Sequence, residues 1–242
     1  MTISNPSAII LVPGLWLGGW AWDEVAERLA RGGLSPVPVT LPGLDSPTAR
    51  RDGIRLFDHV RALLDVVRGA AGRSRPVVLV AHSGAGTLAT AILDQAPDLV
   101  RRVVYVDSGP VANGTIARPD LDPTTVDVPL PTWDQLEAGG ASLAGLTQEM
   151  LQHFQERAVP HPAGPLREPI RLNNPERNHV PATVLCCSIP SEALRHMATG
   201  EGMFAPLADL TDVRYTDLPT GHWPMWSAPD ALADTIAKTA QD

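Results

Sequence analysis

Two kinds of apolar pattern take turns along this chain. Short continuous runs at residues 8–12, 36–39, 77–80, 103–106, 182–187 and 213–218 have the length and β-branched content of strands. Runs that do not alternate with polar residues fit strands buried on both faces of a parallel sheet. Between them, apolar residues recur at helical spacing: Trp22, Val25, Ala26 and Leu29; Leu56, Val60, Leu63, Leu64 and Val67; Thr87, Leu88, Ala91 and Ile92; then Ala231, Leu232 and Ile236. His59 lies beside the second of these stripes and reads as structural. Strands that alternate with helices at this spacing predict a doubly wound, mainly parallel α/β sheet. Functional groups on such a sheet collect at the carboxyl ends of its strands.

The pattern breaks down between Gly109 and Val180, where prolines are frequent. Helices are predicted over 146–158 and 133–138. A stretch of this size is too long for a structureless loop in a compact domain. The expectation is one domain over 1–242, with a core of about 1–109 and 181–242 and a small helical cap of about 110–180 inserted after the strand ending at Val106. His153, His161 and His179 fall in the insertion without the spacing or carboxylate company of a metal site.

Composition narrows the classes of function. Hydrophobic residues make up 44% and charged residues 19%, enough apolar material for a sizeable core. A net charge of -8 with Lys238 as the only lysine disfavours nucleic acid and anionic membrane as partners, since tracking phosphates needs concentrated basic side chains. The opening MTISNPSAIILVPG has no basic leader and too short an apolar run for a signal peptide or a membrane span, so a cytoplasmic protein is expected. Cys186 and Cys187 are adjacent in an apolar run and read as reduced core thiols.

The chemistry centres on RPVVLVAHSGAGTLAT, residues 75–90. A buried strand runs into Ala81, His82, Ser83, Gly84 and Ala85, a serine flanked two residues away on each side by small residues. That is the pattern of a nucleophile elbow, a sharp strand-to-helix turn with the serine at its tip. Alanine stands here where the usual pattern has glycine, and it still lacks a γ-carbon.

With this element the chain resembles the α/β-hydrolase superfamily, in particular its small esterase, hydroxynitrile lyase and cofactor-free dioxygenase members. The resemblance covers nearly the whole length. It implies that the glycine-rich loop 13–19, with Pro13 where the family has histidine, supplies the Leu15 N–H to an oxyanion hole together with the N–H of Gly84. It implies that His222, in a Gly-His-aromatic turn after the last strand, is the base for Ser83, while His82 points elsewhere.

The acid that orients the histidine has two candidates. Most of the family place it after the strand that here ends at Cys187, where Glu192 is the first acid. Glu192 also reads as a first-turn helix residue, and Asp107, at the end of the preceding strand, is placed ahead of it. Trp16, Trp20, Trp223 and Trp226 fall near the mouth by chain position and could line an apolar pocket for a small-molecule substrate.

The implied activity is hydrolysis of an ester or related carbonyl bond through a Ser-His-Asp triad, with no cofactor and no metal. Lyase chemistry is discounted because no lysine lies near His222. A cofactor-independent dioxygenase or C–C bond-cleaving enzyme and a non-catalytic small-molecule receptor on the same scaffold stay open, as does a homo-oligomeric state.

Overall fold

The computed structural model describes residues 7–72 and 75–241. Residues 1–6, on which the leader reading partly rests, lie outside the described residues. In chain order the strands are β1 (Ala8–Val12), β2 (Ser35–Pro38), β3 (Val77–His82), β4 (Val100–Val106), β5 (Asp127–Val128), β6 (His161–Pro162), β7 (Ala182–Cys186) and β8 (Val213–Asp217). The helices are α1 (Asp23–Arg31), α2 (Leu56–Ala71), α3 (Ala85–Gln95), α4 (Trp133–Ala138), α5 (Gln148–Arg157), α6 (Ala163–Arg167), α7 (Ser191–Ala198), α8 (Pro224–Ser227) and α9 (Pro229–Gln241).

Six strands form one sheet in the order β2-β1-β3-β4-β7-β8, and every neighbouring pair is parallel. The inner strands are apolar throughout because both faces are covered. In β1 and β3, Ile9, Leu11, Val78 and Val80 face α1 and α9, while Ile10, Val12, Val77 and Leu79 face α2 and α3. All eight are fully buried, and truncating one of the isoleucines or leucines among them to alanine in a packed core costs about 2–5 kcal/mol. The prolines of β2 sit on the sheet's edge, the place where a missing N–H does least harm.

The chain winds from β1 outward to β2, then returns past β1 to β3 and onward. The strand order therefore reverses between β1 and β3, and their carboxyl ends open a crevice at that switch point. The loop after β1 and the turn after β3 are neighbours for this reason.

Strand β4 begins at Val100, three residues before the apolar run, and its register against β3 shifts there: Val100 lies opposite Val77 and Arg102 opposite Val78, skipping Arg101. The cap holds the two expected helices, each opened by a threonine: Thr132 accepts from the Gln135 N–H and Thr147 from the Met150 N–H. It also holds the antiparallel β5–β6 ribbon and α6, which short proline-bearing segments did not announce. Phe154 of α5 is fully buried against Trp223 and Trp226, seating the cap on the core.

Candidate active site

Ser83 stands at the turn between β3 and α3 with φ 53, a left-handed backbone that a non-glycine residue adopts only when its surroundings enforce it. The enforcement is visible. The Ser83 N–H donates to Val106 at 3.2 Å, and its carbonyl accepts from the Gly86 N–H at 3.0 Å and from the Ser108 hydroxyl at 2.6 Å. Gly86 cannot carry a side chain, since a Cβ there would lie 2.3 Å from the Gly109 carbonyl oxygen. Gly14 of the β1 loop packs on the same turn, and a Cβ on it would stand 3.0 Å from Ser83 Cβ.

Strand β8 ends in a loop whose His222 returns to Ser83. The loop is pressed against the cap: a Cβ on Gly221 would meet the Ala144 carbonyl at 2.4 Å, and the His222 N–H donates to the Ser142 carbonyl at 2.7 Å. The Ser83 hydroxyl then reaches His222 Nε2 at 2.7 Å, and His222 Nδ1 reaches Asp107 Oδ2 at 2.5 Å. With Nδ1–H donated to the carboxylate, Nε2 presents the lone pair that the hydroxyl needs.

Asp107 follows β4 with φ 44 and accepts four donors. The Cys187 and Ser188 N–H groups bond Oδ1 at 3.1 and 2.9 Å, while the Ser188 hydroxyl and the His222 ring bond Oδ2. Burial pushes the carboxyl up, but the bond and charge of His222 and the donors of Ser188 outweigh it and hold Asp107 at about 2. Glu192 is exposed in the first turn of α7, away from this arrangement.

His82 does not touch Ser83 Oγ; its Nε2 donates to the His222 carbonyl at 2.7 Å. Burial, then the neighbouring His222, hold its pKa at about 3, so it stays neutral. Burial likewise pushes Cys186 up to about 12 and Cys187 upward, as inert thiols. The residues missed in the sequence are Ser188, Ser108 and Ser142. Only Ser188 had a signal: it occupies the strand end where an acid was looked for.

Leu15 and Gly84 lie against each other, for a Cβ on Gly84 would come within 3.0 Å of the Leu15 side chain. Gly84 caps α3, so its N–H is one of the helix's unpaired first donors, at the positive end of the dipole.

Three of the tryptophans pack beneath the cap. Trp223 meets the His222 ring edge-on at 4.9 Å, and Trp20 stacks on Trp226 at 5.7 Å while the Arg157 guanidinium covers its face at 4.7 Å. Trp16 is buried with its indole on the Val128 carbonyl. A cavity of about 400 Å³ opens on the cap side, bordered by Leu130, Trp133, Gln155, Val159 and Pro160. Trp133 is the tryptophan on its wall.

A serine on a strained elbow at the switch point of a parallel sheet, met by a histidine from the loop after the last strand, defines the α/β-hydrolase class. The chain belongs to the alpha/beta hydrolase family, whose model matches residues 9–235. Among curated relatives, Methylesterase 7 of Arabidopsis thaliana is 31% identical over 107 residues, 44% of this chain and 41% of its own. The carbendazim hydrolyzing esterase of Nocardioides sp. (strain SG-4G) is 29% identical over 100 residues, 41% of this chain and 40% of its own. The chain thus aligns with 30 to 42% of the length of the curated relatives it matches. Among solved structures, a methylesterase from Arabidopsis shares the fold with a TM-score of 0.74 at 16% identity, covering 97% of this chain and 98% of that one.

Proposed function

We propose that the protein is a serine hydrolase that cleaves an ester of a small apolar or aromatic molecule through an acyl-enzyme. The observation that carries this reading is the unbroken hydrogen-bonded line from the Ser83 hydroxyl through His222 to Asp107. As Oγ attacks the ester carbonyl carbon, its proton passes to His222 Nε2, and the carbonyl electron pair moves to oxygen. Asp107 stabilises the imidazolium. The Leu15 and Gly84 N–H groups receive the oxyanion, each contributing about 3 kcal/mol to the transition state.

Collapse of the tetrahedral adduct expels the alcohol, which takes the proton from His222. Water, deprotonated by the same ring, then releases the acid. The names of the esterase relatives agree with this class of reaction.

The test is hydrolysis of a panel of p-nitrophenyl and aromatic esters by the protein and by Ser83→Ala and His222→Ala, with mass-spectrometric detection of fluorophosphonate labelling at Ser83. Turnover lost in both variants and a single label on Ser83 support the reading. Turnover that survives both substitutions overturns it.

A further inference from the structure

Trp16 is held in a way that its packing alone does not require. Among the described residues, the non-glycine residues with positive φ are Trp16, Ser83 and Asp107, at 65, 53 and 44. The latter two belong to the hydrogen-bonded line itself. Trp16 is the residue after Leu15, and all three of its polar groups are taken by the cap. Its N–H points to His161 Nδ1 at 3.4 Å, its indole N–H donates to the Val128 carbonyl at 3.0 Å, and its carbonyl accepts from the Val159 N–H at 3.0 Å.

Val128 and His161 are themselves paired across the β5–β6 ribbon. The ribbon is pinned in turn to the core: the buried Arg51 donates to the Pro160 carbonyl at 2.7 Å and, through its other nitrogens, to the carbonyls of Ser46, Pro47 and Ala49. His161 is buried edge-on against His59.

Leu15 is therefore one residue suspended between two clamps. On one side Gly14 is wedged against His82 and Ser83; on the other Trp16 is tied to the ribbon. Peptide planes are rigid, so fixing the planes on either side of a residue fixes where its N–H points. Resting on the hydrolase reading above, we infer that the cap ribbon aims the Leu15 N–H through Trp16, and that His161 is a positioning residue for the oxyanion hole. The ring plays this part as the neutral tautomer, with Nδ1 free to accept. Burial, with His59 and Arg51 nearby, keeps it so by holding its pKa at about 3.

The experiment compares the wild type with His161→Phe, which keeps a ring and removes the acceptor, with His161→Asn, whose Oδ1 replaces Nδ1, and with Trp16→Phe, which removes the indole tether. Each is assayed for ester hydrolysis and for inhibition by an aryl trifluoromethyl ketone, and its fold is checked by circular dichroism. The ketone adds Ser83 Oγ to its carbonyl carbon, passes the proton to His222 and leaves an oxyanion in the hole. The matching aryl methyl ketone serves as a ground-state control.

A donor misplaced by about 1 Å costs up to about 10²-fold in rate. His161→Phe is expected to lower kcat by about 10- to 100-fold, to leave KM and the methyl ketone Ki within about threefold, and to raise the trifluoromethyl ketone Ki by the same factor as kcat falls. His161→Asn recovers most of the loss. An unchanged trifluoromethyl ketone Ki in folded His161→Phe overturns the inference and leaves the hydrolase reading standing. Should that variant not fold, Trp16→Phe decides on the same readout. A wild type that neither hydrolyses esters nor reacts with a fluorophosphonate overturns both.

Discussion

The Ser188 hydroxyl donates to Asp107 Oδ2, the same carboxylate oxygen that accepts the His222 ring N–H. Asp107 comes from the end of β4 and Ser188 from the end of β7, neighbouring strands in the sheet. A serine thus stands where most of the superfamily places the acid, and it donates to a carboxylate one strand away. Its N–H, with that of Cys187, also holds the other carboxylate oxygen, so the carboxyl plane is fixed by contacts other than the histidine.

Ser188→Ala removes one hydrogen bond to a charged group, worth about 1.5–3 kcal/mol where it is made. The Asp107 carboxyl is expected to rise from about 2, because the hydroxyl is one of the donors that depress it. Ester hydrolysis at pH 7 should fall by less than about tenfold, since the His222 contact remains. The pKa of the Asp107 carboxyl, followed by carboxylate NMR, should move upward, and an unmoved pKa would show that the hydroxyl does not stabilise the carboxylate.

Asp107→Asn is expected to do far more. An amide in this place can present its N–H₂ to the ring and so favour the tautomer that leaves Nε2 protonated, with no lone pair for the Ser83 hydroxyl. A loss of about 10³- to 10⁴-fold in kcat is expected for that exchange of tautomer. Glu192→Gln should stay within twofold of the wild type, because Glu192 is exposed on α7. A large loss in Glu192→Gln with little in Asp107→Asn would reverse the assignment of the acid.

What was legible in the chain is what leaves a local pattern. Strands β1, β3 and β4 read as apolar runs because both their faces are covered, and the elbow read because its small residues are forced by close contact in the turn. His222 could be picked from seven histidines by its place after the last strand. The β5–β6 ribbon left no such mark: it is two residues on each side, partly proline, and exists through its pairing and its grip on Trp16. The tryptophans hid their contacts for a related reason. Their position near the mouth is a matter of chain order, but Trp20, Trp223 and Trp226 spend their rings on one another and on Phe154, contacts that only the docked cap creates.

Stability should fall in mild acid, and the histidines set the window. Burial and the neighbouring His222 hold His82 at about 3, and burial with His59 and Arg51 nearby holds His161 at about 3, against an ordinary 6.5. Between these values the unfolded chain binds protons that the folded chain refuses, so the folding free energy weakens as pH drops, by about 1 kcal/mol per pH unit for each group. Asp107 acts lower down: its depressed carboxyl contributes fully above about 3.8, and that contribution is lost as pH falls toward 2. Urea unfolding at pH 7, 6, 5 and 4 should show a decline of at least about 2 kcal/mol per unit below pH 6, the buried His59 adding in the same direction, and His161→Phe should have a shallower slope. A flat profile from pH 6.5 to 4 would mean that the two rings take up protons in the folded state.

Two glycine-to-alanine exchanges should move stability in opposite directions, and the contrast tests the elbow directly. At Gly86 the added Cβ would lie 2.3 Å from the Gly109 carbonyl oxygen and 2.6 Å from Ser108 Oγ. The first is backbone, and the second is the hydroxyl that holds the Ser83 carbonyl, so neither can yield without separating α3 from the end of β4. A loss of about 1–3 kcal/mol is expected, with a fall in fluorophosphonate labelling as Ser83 leaves its turn. Gly69 lies exposed inside α2, where a Cβ meets nothing within 4 Å. Alanine there removes backbone freedom from the unfolded chain and should add about 0.5–1 kcal/mol without changing labelling. Equal melting temperatures for Gly86→Ala and the wild type would show that α3 and β4 do not approach as closely as the elbow requires.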